Sequence, residues 1–283
     1  MNRTAIAAAM AAAALALGVP ACTGPKHVSF PAGSTMDRLQ QAGKITVGVK
    51  YDQPGLGFRN LATGKPEGFD IKLAQIVAAE LGLGRDDIDY VETVSRNREA
   101  YLESGRVDIV IASYSITPER RRKVGQAGPY YVTHQQLLVR KGEKDRISGP
   151  EQLPGVRVCS VAGSTSLATV QKKYRARPVP VATYTECVQR LLNKSVDAVT
   201  TDDAILLGYA ALQPDKLEIA GRPFTEERYG IGYRKGDQTF CQFLTDAIRK
   251  AEDNGEWEKA FKDTLGKARV PTPEKPTLEP CQP

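Results

Sequence analysis

Short apolar runs and amphipathic stretches alternate along most of this chain. The run Lys44–Val49, "KITVGV", predicts a strand, and the run Val107–Ala112, "VDIVIA", is apolar on both faces. Such a run is typical of a parallel sheet that helices cover on both sides. Between the two runs, "FDIKLAQIVAAELGL" places Phe69, Leu73 and Val77 on one helical face, together with Ile76 and Leu81. The alternation predicts an α/β fold.

The same order of elements recurs in the second half of the chain. The segments "GRVDIVIAS" and "KSVDAVTTD" share a turn, a Val-Asp pair, a strand and polar residues at the end of the strand. The second segment follows an amphipathic helix, "TECVQRLLNK", for which Thr185 is the predicted N-cap. A further strand at Tyr229–Arg234 precedes a helical pattern over residues 240–266 that is interrupted near Gly255. We therefore expect two similarly built α/β lobes.

The N-terminus carries an export signal. The uncharged apolar stretch Ala5–Gly18 is shorter than the about 20 residues of a transmembrane helix, and it fits a secretory signal peptide over residues 1–21. The residues "GVPAC" resemble the lipobox of bacterial lipoproteins, in which the cysteine, here Cys22, becomes the lipidated first residue. Secretion without lipidation stays open because Pro20 is unusual at its place. Residues 22–39 are expected to form a tether between lipid and protein.

The cysteines beyond Cys22 predict disulfides. Five cysteines occur in the chain, and the four others are Cys159, Cys187, Cys241 and Cys281. An even number in an exported protein indicates two bridges, with three possible connectivities. Proximity in sequence favours Cys159–Cys187 and Cys241–Cys281, and the second bridge would pin the Pro-rich tail, residues 267–283, to the body. The chain has no C-x-x-C and only two histidines, so we expect neither a zinc site nor another cofactor.

The charge of the chain argues against nucleic acid as a partner. The net charge of +6 comes from 39 basic and 33 acidic residues that are spread along 283 positions. No run of five or more like charges occurs, and aromatic residues make up 7% of the chain. A basic balance of this kind describes many extracytoplasmic proteins.

Hydroxyl and arginine side chains follow directly on the apolar run "VDIVIA". In the segment "SYSITPERR", Thr117 is the predicted N-cap of a helix and Pro118 suits its first turn. The hydroxyls of Ser113 and Ser115, free backbone N–H groups and an arginine of the first turn would form a cradle for a carboxylate or phosphate. A solvated helix start whose arginines face water is the alternative.

A second cradle is predicted in the later half. The segment "CSVAGSTSLATV" passes from a strand through Gly163 and three hydroxyl residues into a helix, whose N-terminus offers donors to an anion. Asp202 and Asp203 end a later strand; one of them would cap the next helix, and the other would receive an ammonium group. Two anion-binding elements and one carboxylate would match a zwitterion held between two lobes.

From Lys44 to Gly266 the chain resembles the bacterial extracellular solute-binding proteins for polar amino acids that serve ABC importers. The matching stretches include "ITVGVKYDQPGLGFRN", "PEGFDIKLAQIVAAELG", "VSRNREAYLESGRVDIVIASYSITPERRRKV", "GPYYVTHQQLLVRKG", "GVRVCSVAGSTS", "VDAVTTDDAIL" and "ERYGIGYRKGD". The resemblance implies a two-lobed periplasmic-binding-protein-like fold of type II. Lobe 1 would comprise residues 40–135 and 230–266, lobe 2 residues 139–228, and the ligand would bind in the cleft between them.

Carried over position by position, the resemblance also implies roles for single residues. Arg120 would hold the α-carboxylate of the ligand, and Ser115 and the backbone at Thr165 would complete that site. Asp202 would hold the α-ammonium group, together with the carbonyl of Ser113. Each of these positions lies at the predicted carboxyl end of a strand, where ligands of open α/β sheets bind.

The resemblance also bears on four further residues. Tyr114 lies between the two serines and is expected to line the cleft. Arg121 and Arg122 are expected to be solvated helix residues. Gln53 departs from many relatives, which carry at that position an aromatic side chain that stacks on the ligand.

The segment "SRNR" and the end of the first strand point to the side chain of the ligand. "SRNR" resembles the S-x-N-R of aspartate and glutamate binders, in which Ser95 and Arg98 reach the ligand side chain. Lys50 ends the first strand and is expected to enter the cleft; the alternative is that it snorkels to solvent. With Arg120 and Asp202, the site would hold three positive charges and one negative charge. This set predicts glutamate or aspartate as the ligand, with the amides weaker and basic amino acids excluded.

The expected protein is an extracytoplasmic monomer at the outer face of the cytoplasmic membrane. The resemblance implies that it delivers its ligand to the membrane permease of an ABC importer. A lipoprotein that senses an amino acid and reports to a membrane receptor would use the same fold. A dehydratase-like enzyme is the third alternative, against which stand the missing G-x-S-x-G and S-x-x-K motifs and the lack of a usable histidine.

Overall fold

The structure is a computed structural model that describes residues 29–268 and 270–282. The predicted signal peptide, residues 1–21, and the predicted lipidation site, Cys22, lie outside the described residues. Over the described ranges, we find no helix that combines the length and the apolar character needed to cross a membrane.

The described residues contain nine α-helices and eleven strands. The helices are α1 Thr35–Ala42, α2 Phe69–Glu80, α3 Arg98–Glu103, α4 Pro118–Arg121, α5 Thr165–Lys173, α6 Tyr184–Leu192, α7 Asp203–Leu212, α8 Gln238–Asp253 and α9 Glu256–Lys262. The strands are β1 Ile45–Val49, β2 Asp52–Gln53, β3 Gly57–Arg59, β4 Pro66–Glu67, β5 Ile88–Glu92, β6 Ile109–Val110, β7 Gly125–Arg140, β8 Arg157–Val161, β9 Arg177–Val181, β10 Ala198–Asp202 and β11 Leu217–Tyr233.

Eight of these strands form one mixed sheet in the order β5-β1-β6-β11-β7-β10-β8-β9. Strands β5, β1 and β6 are parallel at one end of the sheet, and β10, β8 and β9 are parallel at the other. The apolar run "VDIVIA" lies where the sequence predicts a strand covered on both faces, since residues 109–112 are fully buried. Strands β2, β3 and β4 form a small separate sheet.

The two long antiparallel strands β7 and β11 join the two ends of the sheet. One end of β11 pairs with β7 at Ile231 and Ala127, close to β6, and the other end pairs at Leu217 and Arg140, beyond β10. Two α/β lobes connected by two crossing strands result, which confirms the predicted fold class. The lobe limits at residues 135–139 and 228–230 stay a prediction that falls within β7 and β11.

Helix α1 begins where the sequence predicts a tether, and helix α6 begins earlier than the sequence predicts. Helix α1 starts within the tether predicted for residues 22–39, because the side chain of Ser34 accepts a hydrogen bond from Asp37 N and because the α1 residues Met36 and Leu39 are buried. Helix α6 begins at Tyr184, and its N-cap is Thr183 rather than Thr185. Thr117 caps α4 as predicted.

Both disulfides of the structure connect the cysteines that lie closest in sequence. Cys159 of β8 is bonded to Cys187 of α6, within lobe 2. Cys241 of α8 is bonded to Cys281, so the Pro-rich tail is attached to lobe 1. These are the pairings that sequence proximity favours.

An aromatic cluster in lobe 1 packs around Phe69 of α2. The ring of Phe69 at the start of α2 lies 5.7 Å from the rings of Trp257 and Phe261 of α9, in edge-to-face geometry. The indole Nε1 of Trp257 donates a hydrogen bond of 2.8 Å to the carbonyl of Tyr130. This contact fixes β7 at the point where the Tyr130 side chain turns toward the site described next.

Candidate functional site

A small cavity lies between the lobes, at the carboxyl ends of β6, β8 and β10. Its volume of about 10 Å³ is on the order of one water molecule, so the two lobes are nearly in contact there. Seven of the nine residues that are expected to bind the ligand line it: Ser95, Arg98, Ser113, Ser115, Arg120, Thr165 and Asp202. Lys50 and Tyr114 contact lining residues from behind.

Five further lining residues were not predicted: Ser164, Ser166, Tyr184, Thr201 and Ile205. Ser164 and Ser166 flank Thr165 in "GSTS", whose hydroxyl run signalled an anion cradle without singling them out. Thr201 directly precedes Asp202 on β10. For Tyr184 and Ile205 the local sequence carries no signal.

Helix α4 presents Arg120 to the cavity. The carbonyl of Ser115 accepts a hydrogen bond of 2.7 Å from Arg120 Nη1, and Glu99 Oε1 lies 3.4 Å from Arg120 Nε. Arg120 Nη2 donates across the cleft to the carbonyl of Gly163, at 3.1 Å. The guanidinium group is therefore held by lobe 1 while one edge faces lobe 2.

Arg98 at the start of α3 reaches the same point from the other side. Its guanidinium group donates to three carbonyls of lobe 1, those of Ser95, Ala112 and Ser113. Its Nη2 donates to the carbonyl of Gly163 at 3.3 Å. Two guanidinium groups thus converge on a single neutral oxygen of lobe 2. Burial lowers the pKa of Arg98 to about 10, and the nearby charge of Arg120 adds to this effect.

From the sequence we expected Tyr114 to line the cleft, but its side chain supports both guanidinium groups from behind. Its ring centre lies 4.5 Å from the Cζ atom of Arg98 and 4.8 Å from that of Arg120. The side chain is fully buried, and its hydroxyl donates to Glu99 Oε1 at 2.8 Å. The ring therefore lies beneath the arginines, where a ligand has no access.

Lys50 is buried in the wall of the site, so it does not snorkel to solvent. Only 4% of the residue is exposed, and its Nζ donates a hydrogen bond of 2.9 Å to Ser95 Oγ. Burial, reinforced by the charge of Arg98, lowers its pKa to about 7. No carboxylate lies within ion-pair distance of Lys50 in the part of the chain that the structure describes.

Asp202 is the carboxylate of lobe 2 that lines the cavity. It accepts hydrogen bonds from the hydroxyl of Tyr229 and, at 3.4 Å, from Ser166 Oγ. Burial and the nearby carboxylate of Glu227 raise its pKa to about 7. A bound ammonium group would lower this pKa again.

A second buried carboxylate, that of Asp70 in α2, carries no signal in the local sequence pattern. The residue is fully buried and accepts hydrogen bonds of 2.8 Å from Ser113 N and from the hydroxyl of Tyr130. Burial raises its pKa to about 6. Ser113 has a left-handed backbone, with φ of 43°, and its Oγ donates to Gln53 Oε1 at 2.8 Å. Asp70 and Gln53 thus hold Ser113 in an unfavourable conformation.

Further contacts join the lobes outside the cavity. Asp52 of lobe 1 accepts a hydrogen bond of 2.7 Å from Tyr184 N, at the start of α6 in lobe 2. The hydroxyl of Tyr209 donates to the carbonyl of Asp52. A Cβ atom at Gly163 would lie 2.7 Å from the Cα atom of Arg96, so only glycine permits this approach of the lobes. The described arrangement is the closed one.

A protein family, several relatives and several solved structures are similar to this chain. The bacterial extracellular solute-binding proteins, family 3, match residues 45–267. The glutamate-binding protein GluB of Corynebacterium efficiens is 36% identical over 275 residues, covering 93% of this chain and 91% of that protein. The ABC transporter glutamine-binding protein GlnH of Bacillus subtilis is 33% identical over 230 residues, covering 81% and 83%. The crystal structure of the solute receptor for L-cysteine of Neisseria gonorrhoeae superposes with a TM-score of 0.79 at 27% identity, covering 84% of this chain and 97% of that one.

The approach of Gly163 to Arg96 makes closure testable. We expect Gly163→Ala to keep the lobes apart, because its methyl group would meet backbone atoms of the opposite lobe. Small-angle X-ray scattering should show a larger radius of gyration than for the wild type. Gly155→Ala is the matched control, since Gly155 also has a positive φ, of 77°, and open space around its Cβ position.

Both variants should lose about 1–2 kcal/mol of unfolding free energy, because alanine is strained in a left-handed backbone. Only Gly163→Ala should change the radius of gyration. Equal radii for the three proteins would contradict the proposed role of this glycine in closure.

Proposed function

The chain belongs to the bacterial extracellular solute-binding proteins, family 3, and we propose that it captures an acidic amino acid, glutamate or aspartate, between its lobes. The observation that carries the proposal is the buried Lys50, which lies beside Ser95 and Arg98 without a carboxylate partner in the described residues. Relatives of this chain bind glutamate in one case and glutamine in another. The choice between them therefore depends on this group of residues.

The α-carboxylate of the ligand is proposed to bind where the two guanidinium groups converge. Arg98 and Arg120 both donate to the carbonyl of Gly163, although a carboxylate oxygen is a much stronger acceptor for a guanidinium group. The N-terminus of α5, which Ser164 caps, lies at the same place and favours negative charge. The α-ammonium group is then assigned to Asp202 and the carbonyl of Ser113.

The side-chain carboxylate is assigned to Ser95 and Arg98, which line the cavity, and to Lys50, which lies behind them at hydrogen-bond distance from Ser95 Oγ. The ammonium group of Lys50 has three donors, and one of them is used by Ser95 Oγ. A carboxylate presents only acceptors to a cation. The amide of glutamine has one acceptor oxygen and one NH2 group, and the donors of the NH2 group do not match a cation. The amides should therefore bind more weakly, and the cationic side chains of lysine and arginine should be excluded.

Two carboxylates alter the charge count that the sequence indicates. Glu99 pairs with Arg120, and Asp70 lies behind Ser113. Neither lines the cavity, and both are engaged by hydrogen bonds from tyrosine hydroxyls. They offset part of the cost of burying three cations, but both lie behind the residues that a ligand would contact.

Delivery of the ligand to the membrane permease of an ABC importer is the proposed outcome of binding. Export through residues 1–21 and anchoring through Cys22 are part of this proposal, and so is action as a monomer. A sensor lipoprotein would bind in the same way and would differ in its membrane partner. Uptake of labelled glutamate by cells with and without the protein separates the two. For the dehydratase-like alternative, the ligand recovered from the protein should be chemically changed.

We predict a ranking of ligands that isothermal calorimetry can measure. Glutamate and aspartate should bind more tightly than glutamine and asparagine, with lysine and arginine showing no binding. Lys50→Met should weaken the acidic amino acids by several kcal/mol, because the side-chain carboxylate would lose its buried partner, and should affect the amides less. Lys44→Met, at the exposed opposite end of β1, is the matched control. A wild type that prefers lysine or arginine would refute the proposal.

A second prediction concerns the α-carboxylate. Arg120→Ala should weaken every amino-acid ligand by about 3–5 kcal/mol, because the variant leaves the carboxylate poorly paired in a closed cleft. The neighbouring exposed Arg122 provides the control variant Arg122→Ala. Circular dichroism should show both variants folded. An unchanged affinity in folded Arg120→Ala would place the α-carboxylate elsewhere.

A third prediction follows from the pKa values of Lys50 and Asp202, because burial in the closed arrangement brings both of them to about 7. The ligand carboxylate should raise the pKa of Lys50, and the ligand ammonium should lower that of Asp202. At pH 8 Lys50 is mostly neutral and Asp202 already ionised, so glutamate binding should take up a proton. At pH 6 Lys50 is already charged and Asp202 mostly protonated, so binding should release one.

Calorimetry in two buffers of different ionisation enthalpy measures this change of sign. Glutamine lacks the side-chain carboxylate, so its binding should still release a proton at pH 6. At pH 8, its binding should take up fewer protons than glutamate binding does. Heats of glutamate binding that are independent of the buffer at both pH values would contradict the assigned positions of the two groups.

A further inference from the structure

The C-terminal tail, residues 270–282, runs back over lobe 1 and is fastened at several points. Cys281 is bonded to Cys241 of α8, and the Nζ of Lys275 donates to the carbonyl of Glu252, also in α8. Val270 and Pro276 are buried. The tail is thus an ordered strap, although its composition is too polar and Pro-rich to fold alone.

Glu279 of the strap connects three elements of the ligand site. Its carboxylate lies 2.7 Å from Arg121 Nη2, in α4, and also pairs with the guanidinium group of Arg228, in the crossing strand β11. Its backbone N–H donates to the carbonyl of Gly128, in the other crossing strand β7, at 2.7 Å. Arg121 is accordingly not the solvated residue that the sequence predicts, since its side chain is 14% exposed.

The partners of Glu279 are connected to Arg120 through short paths. Arg121 is its neighbour in α4, a helix of only four residues. The carbonyl of Arg228 accepts a hydrogen bond of 2.7 Å from Ile116 N, directly after Ser115, whose carbonyl holds Arg120 Nη1. The ion pairs of Glu279 therefore close a ring of contacts around the base of Arg120.

We propose that Glu279 is a positioning residue for Arg120, and that the Cys241–Cys281 bridge serves ligand binding by keeping Glu279 in place. The inference rests on the proposed binding of an amino-acid carboxylate by Arg120. The bridge keeps the end of the tail close to Arg121 and Arg228, so the effective concentration of the Glu279 carboxylate at these two residues is high. A free tail would form the same pairs only as weak, partly exposed ones.

The test is the affinity for glutamate and glutamine, measured by calorimetry on the full mature chain. Glu279→Gln should lower the affinity for both ligands by a similar factor of roughly 3–30, which is the size of effect expected for residues in one charge network. The factor should be similar because both ligands carry the α-carboxylate that Arg120 binds. The double variant Cys241→Ser/Cys281→Ser should show the same loss. Glu274→Gln, an exposed glutamate of the same tail, should bind like the wild type.

A second measurement separates positioning from a general loss of stability. In an Arg120→Lys background, which keeps the charge but lacks the guanidinium fork, Glu279→Gln should cost little further affinity. An equal loss in both backgrounds, or wild-type affinity of Glu279→Gln, would overturn the inference. The wild type is titrated first with both ligands. If it binds neither, the proposed function fails; if it binds either one, the comparison tests Glu279 alone.

Discussion

The arrangement of the ligand site depends on the cost of burying cationic side chains. A guanidinium group removed from water requires acceptors for its donors, and backbone carbonyls supply most of them here. Arg98 uses three carbonyls of lobe 1, of which two belong to the chain just after β6. The chain can present those carbonyls because Ser113 adopts a left-handed conformation, which Asp70 and Gln53 stabilise. The cations thus dictate the path of the backbone around them.

The same requirement couples binding to closure. In the closed arrangement, one donor of each arginine is satisfied by the carbonyl of Gly163, which belongs to the other lobe. Opening the cleft would remove that acceptor from both, and water would replace it. A ligand carboxylate that bridges the arginines to α5 would take part in the same contacts with a full negative charge. Other contacts between the lobes, such as the hydrogen bond from the backbone N–H of Tyr184 to Asp52, favour closure with any ligand. Discrimination between ligands is therefore left to the residues that line the cavity.

Local patterns in the sequence predicted the features that depend on neighbours along the chain. Thr117 caps α4 because its hydroxyl accepts a hydrogen bond from the N–H of Arg120, and Ser164 of the run "GSTS" caps α5. Asp70 was missed because its role depends on Ser113 and Tyr130, which lie 43 and 60 positions away in sequence. Arg121 was assigned to solvent since no pattern in α4 shows that the tail returns to it. Packing between distant segments decided these cases.

The selectivity proposed for this site follows from where charges are balanced rather than from their sum. Glu99 and Asp70 do not line the cavity, and they contact the lining residues Arg120 and Ser113 from behind. They therefore reduce the cost of folding around three cations without shielding the ligand from them. Lys50 has no carboxylate within ion-pair distance among the described residues, and burial, together with the charge of Arg98, lowers its pKa to about 7. A ligand that restores the charge of Lys50 regains part of the free energy that burial had cost. An amide regains less of it, since its dipole is a weaker partner for a buried ammonium group than a carboxylate is.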